Sequence, residues 1–156
     1  MTLLIKAVVA IFFVCSIGVA GSTFGQKPKT DKPGTDSKQV SPVSSSAAYA
    51  ELLLRKTEVQ SNLESLVLEY TEEYPKVKEL RFVLGLIDRD IARLGQVKMA
   101  DAGKLTLALG KLIVRRIELE TDLWNLQRSY KDEHPEVKRA KRKVEIYEAA
   151  ISEILN

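Results

Sequence analysis

From about residue 47 onward, apolar residues recur at alternating three- and four-residue steps, in four separate runs. The first run is Tyr49, Leu52, Lys56, Val59, Leu63, Leu66 and Tyr70, and the second is Val77, Leu80, Leu84, Ile87, Ile91 and Leu94. The third is Leu109, Leu112, Arg116, Leu119, Leu123, Leu126 and Tyr130, and the fourth is Val137, Ala140, Val144, Tyr147, Ile151 and Ile154. A mean step of about 3.5 residues keeps one stripe of a helix facing a neighbouring helix. No comparable run alternates with a period of two, so an all-α fold is expected and a sheet is not.

The runs come in pairs. Tyr70-Thr71-Glu72-Glu73-Tyr74-Pro75 corresponds to Tyr130-Lys131-Asp132-Glu133-His134-Pro135 at an offset of 60 residues, and the apolar positions on either side match under the same offset. A unit written twice is the first organising fact. Proline lacks an amide donor and clashes with the carbonyl four residues back, yet suits the first turn of a new helix. Tyr74 and His134, which precede the prolines, are pushed toward extended backbone. Glu72, Glu73, Asp132 and Glu133 then fall near the positive end of the helix that follows, where acidic groups are favoured. Each copy therefore reads as a helical hairpin turning at Tyr74-Pro75 or His134-Pro135. The competing reading is one kinked helix per copy, because the heptad phase runs on through both prolines.

In an antiparallel hairpin, the cation inside the first stripe, Lys56, comes level with Asp88 or Asp90, and Arg116 comes level with Glu148. A buried charge is costly unless paired, so these residues are expected to set register. Phe82, Val83, Leu86, Ile113, Val114, Ile117 and Trp124 widen the apolar coverage of the second and third helices. That breadth suggests two hairpins packed as an antiparallel four-helix bundle. The connection through residues 95–103 offers Asp101 as an N-cap for the third helix. For Trp124, packing between hairpins is favoured over an exposed anchor.

The chain begins differently. Lys6 precedes an apolar run that reaches Ala20, with Gly18 and Ala20 forming a small-x-small cleavage site and a second site after Gly25. Residues 1–25 thus read as a signal peptide, or alternatively as an uncleaved N-terminal anchor to the inner membrane. Residues 26–46 hold Pro28, Pro33 and Pro42 among small and polar residues and read as a disordered linker. The first hairpin occupies residues 47–95 and the second residues 101–156. Cys15 is the chain's single cysteine, so disulfides and thiolate sites are not expected in a processed chain.

Charge and composition narrow the chemistry. The net charge of +3 and an aromatic content of 6% argue against a nucleic-acid partner. His134 is the single histidine and stands where the first copy has Tyr74, which makes it a turn residue before it is a base or a metal ligand. No metalloprotease, nucleophile-elbow or phosphate-loop pattern is present. Catalysis, cofactors and metals are accordingly not expected. The one dense charge run is Lys138, Arg139, Lys141, Arg142 and Lys143, where the first copy has Lys78, Glu79, Arg81, Phe82 and Val83. A solvated helix face accounts for such a run. The functional reading is an anionic partner, whether lipid, acidic glycan or acidic protein.

The Tyr-x-x-x-His-Pro-x-Val signature at 130–137, followed by heptads, resembles the periplasmic coiled coil of polysaccharide chain-length determinant proteins (polysaccharide co-polymerases). The first copy has Tyr74 in place of the histidine. The resemblance implies an extended helical hairpin exposed to the cell envelope and a role in polysaccharide assembly or export. Together these readings point to an exported, periplasmic or secreted, non-enzymatic scaffold that binds an envelope protein or an anionic surface. Membrane contact is expected only if the N-terminus stays uncleaved, and the heptads can close within one chain or between copies. The rival function is a periplasmic holdase or adaptor.

Overall fold

The computed structural model describes residues 43–156. The apolar N-terminal run, Cys15, both cleavage sites and the linker up to residue 42 lie outside the described residues. Four α-helices and one short 3-10 helix make up the regular structure, with no strand among the described residues. The helices are α1 (Ala47–Val67), α2 (Pro75–Gly95), α3 (Leu107–Gln127) and α4 (Pro135–Leu155). The 3-10 helix, Met99–Lys104, lies between α2 and α3. Each α-helix is 21 residues long, about 30 Å at 1.5 Å per residue. The boundaries of α3 and α4 are those of α1 and α2 moved by the 60-residue offset, so the repeat is structural as well as sequential.

Local chemistry sets those boundaries. The Ser46 hydroxyl accepts from the Tyr49 amide at 3.2 Å, and its counterpart Thr106 accepts from the Leu109 amide at 3.3 Å. Each satisfies one of the amides that a helix start leaves without a partner. Thr106, not Asp101, is thus the N-cap of α3. Asp101 sits inside the 3-10 helix and pairs with Lys104 at 3.2 Å. Leu105 is buried, and its carbonyl accepts from the Ala48 amide at 3.2 Å, which ties the starts of α1 and α3 together. Val43, which falls within the expected linker, packs against the core.

The prolines turn the chain. Pro75 and Pro135 open α2 and α4 behind extended Tyr74 (φ −61°, ψ 129°) and His134 (φ −61°, ψ 136°). The Tyr74 amide donates to the Thr71 carbonyl at 3.0 Å, and the His134 amide donates to the Lys131 carbonyl at 3.0 Å. The Tyr70 and Tyr74 rings stack with centroids 4.2 Å apart, and Tyr130 stacks on His134 at 4.1 Å. The Tyr-x-x-x-(Tyr/His)-Pro signature is therefore a ring-on-ring clasp across a tight turn. α1 runs antiparallel to α2, and α3 to α4, so each copy is a hairpin and not a kinked rod.

The hairpins do not close into a square bundle. α3 lies against both α1 and α2, while α4 packs on α3 and the 3-10 helix. α1 and α3 run parallel: Gly110 meets Ala48 near their starts, and Asn62 and Asp122 line one groove near their ends. The arrangement is a two-layer stack of equivalent hairpins, with the leading helix of the second layer seated in the groove of the first. Burial follows from it. Val77, Leu80, Val83, Leu86, Ile87, Asp90 and Leu94 of α2 are buried, but only Val137 and Ile151 of α4.

Candidate functional site

Two charged regions stand out, one buried between the layers and one exposed on α4. The buried region centres on Arg116, which is 2% exposed. Its guanidinium donates to Asp90 of α2 and, at 2.7 Å, to Glu120 of its own helix, and Arg116 Nε lies 3.2 Å from Glu148 of α4. Arg89 reaches Glu120 at 2.9 Å, and Arg93 reaches Glu148 at 2.7 Å. Three arginines and three carboxylates thus balance across α2, α3 and α4. Lys56 pairs with Asp88 at 2.6 Å on the half-exposed side of the first hairpin.

The register groups therefore divide. Lys56–Asp88 and Arg116–Glu148 are the same pair in two copies, each within a hairpin. Asp90 does not serve Lys56; it crosses to the second hairpin and meets Arg116. Burial pushes the Asp90 carboxyl above the ordinary range, and the opposing pull of Arg116, Arg89 and Arg93 does not fully offset it. Arg116 and Asp90 are the buried members, Arg116 Nε makes no hydrogen bond, and Arg89, Arg93 and Glu148 stay partly exposed, so the cluster fixes geometry more than it adds stability.

The exposed region is the outer side of α4. Lys138, Arg139, Arg142 and Lys143 are exposed, and Lys141 is half-buried. Arg139 pairs with Glu136 at 2.8 Å and Arg142 with Glu145 at 3.0 Å, both one turn away on the same helix. Lys141 folds back to Asp132 of the turn at 3.0 Å, as Arg81 does to Glu72 in the first copy. The hydrogen bond from Gln127, followed by that from Lys141, holds the Asp132 carboxyl below its usual range. Lys138 and Lys143 have no carboxylate partner among the described residues. Arg139 and Lys143 line an open groove of about 580 Å³ between α3 and α4, together with Leu119, Leu126 and Ala140.

Other singled-out residues sit in structural roles. His134 caps α4, its Nδ1 accepting from the Glu136 amide at 3.3 Å. Trp124 is half-buried between the layers, stacked on Phe82 at 5.0 Å with Arg128 over its ring at 4.9 Å. No cluster of three or more His, Cys, Asp or Glu residues suited to a metal occurs among the described residues. None of their helices is long and apolar enough to cross a membrane. Compared with protein-family models, curated proteins and solved structures, the chain matches none.

Proposed function

We propose that this chain is an exported, non-enzymatic helical scaffold of the bacterial cell envelope whose second hairpin binds an anionic partner. The observation that carries the reading is the cationic outer side of α4. In the first copy the matching positions are taken up by packing: Phe82 stacks on Trp124, Val83 is buried and Glu79 accepts from Asn125 at 3.1 Å. On α4 they are Arg142, Lys143 and Arg139, open to solvent. The hairpin itself does not require cations there, since the first copy folds without them. Export is supported by the short apolar run after Lys6, and a link to polysaccharide assembly or export by the Tyr-x-x-x-His-Pro-x-Val signature.

The test is binding of the purified protein to an acidic polysaccharide and to phosphatidylglycerol vesicles over a salt series. Binding that weakens as salt rises, and is lost in Lys138→Glu with Lys143→Glu, is the expected result. Equal binding by the wild type and this variant would remove the role given to α4.

A further inference from the structure

The two ends of the hairpin stack are copies of the two surfaces that meet inside it, and we infer that the chain adds to itself head to tail. In this arrangement the outer side of α1 from one copy sits on the α3/α4 groove of the next. The inference goes beyond the reading above and names a second copy of this chain as the occupant of that groove.

The 60-residue offset supplies the argument. Inside one chain the second layer seats α3 against α2 through Phe82, Val83, Leu86 and Asp90 on one side and Ile113, Arg116, Ile117 and Trp124 on the other. Moved by one repeat, the groove side becomes Arg142, Lys143, Ile146 and Ala150 of α4, and the seated side becomes Leu53, Lys56, Thr57 and Glu64 of α1. Leu86 is 7% exposed, but its counterpart Ile146 is 53% exposed; Ile113 is 2% exposed, but its counterpart Leu53 is 45% exposed. Leu54, the counterpart of half-buried Val114, is 58% exposed. These large apolar side chains lie on the two free ends of the stack, at positions a further layer would cover. Charge complements shape there as well. Where Phe82 stacks on Trp124 within the chain, the same place between copies brings Arg142 opposite Glu64. A surface that fits a different surface of its own kind adds copies head to tail, in an open row unless the rotation between layers closes a ring.

The contact between copies is weaker than the one inside. Gly110 lets α3 approach α1 closely, since a Cβ there would lie 2.9 Å from Glu51 Cβ and 3.0 Å from Ala48 Cα. Its counterpart on α1 is Ala50, so layers from different copies sit further apart. The buried Asp90–Arg116 bond becomes Ala150 beside Lys56, which keeps its own partner Asp88. Glu153, in the place of Arg93, meets the Asp88 of the next copy and adds a repulsion. Association is therefore reversible and depends on concentration.

Blocking one end at a time tests this on the full chain. Leu53→Asp with Leu54→Asp spoils only the α1 end, and Ile146→Asp spoils only the groove end. Sedimentation velocity of the wild type is expected to show mass rising with concentration, and each blocked protein alone to stay monomeric. An equal mixture of the two is expected to form a dimer that grows no further. Arg142→Glu should weaken self-association roughly two- to fivefold, and adding Glu64→Arg should restore it. A wild type that is monomeric throughout, a blocked variant that associates as the wild type does, or a mixture without dimers would overturn the inference. Ile146→Asp keeps Lys138 and Lys143, so lost self-association with intact anion binding separates this inference from the proposed function.

Discussion

At the residue scale, two positions show how close contact and burial override ordinary preference. Glycine in a helix interior usually costs roughly 0.5–1 kcal/mol relative to alanine. Gly85 of α2 has nothing within 4 Å of where a Cβ would stand, so Gly85→Ala is expected to raise stability by about that amount. Gly110 is the opposite case, because its would-be Cβ meets backbone atoms of Ala48 as well as Glu51. Gly110→Ala should lower stability by about 1–3 kcal/mol, the usual cost of overpacking. Urea titration of the two variants side by side reads both signs. Asp90 supplies a pH dependence. Its folded-state pKa is raised by burial above the ordinary 3.8, so the folded protein holds that proton more tightly than the unfolded chain. The resulting stability is complete below the unfolded value and is lost as pH rises through the folded one. Glu72, lowered by its hydrogen bond from Arg81, acts the other way and fades as pH falls. Relative to Asp90→Asn, the wild type should therefore lose stability as pH rises from the ordinary carboxylate value through the raised one. A gap that moves the other way would contradict this account of the buried pair.

At the scale of elements, the clasp at each turn carries an expectation of its own. Tyr130→Ala removes the ring stacked on His134, and Tyr70→Ala removes its counterpart on Tyr74. Each should cost about 0.5–1.5 kcal/mol beyond lost area and speed amide exchange at its own turn alone. Unequal or delocalised effects would mean that the two turns are not the same device. The turns and the hairpins were legible because proline and heptad spacing act locally, and the pairs Lys56–Asp88 and Arg116–Glu148 followed from antiparallel register. The start of α3 departs from the sequence expectation. Asp101 has the chemistry of a cap, but it sits inside a 3-10 turn, and α3 is capped by Thr106, the counterpart of Ser46. The offset itself held that signal, since equivalent helices start on equivalent residues.

At the scale of the molecule, the stacking of the hairpins was the part hidden from sequence. Heptad stripes describe only the contact within a hairpin. The second face, Phe82, Val83 and Leu86 against Ile113 and Ile117, showed that α2 and α3 are inner helices without showing how they sit. Two departures from the repeat pointed to the answer. Asp90 has no acid at 150, and Gly110 has no glycine at 50, and both serve the layer interface that only the middle of the stack possesses. The central claim is that α3 lies beside α1 while α4 lies beyond it. Spin labels at Asn62, Asp122 and Arg142, in pairs and diluted with unlabelled protein, measure this directly. The distance from 62 to 142 should exceed that from 62 to 122 by about one helix spacing, roughly 8–10 Å. A distance from 62 to 142 equal to or shorter than that from 62 to 122, as in a bundle with α4 closed against α1, would contradict the stack.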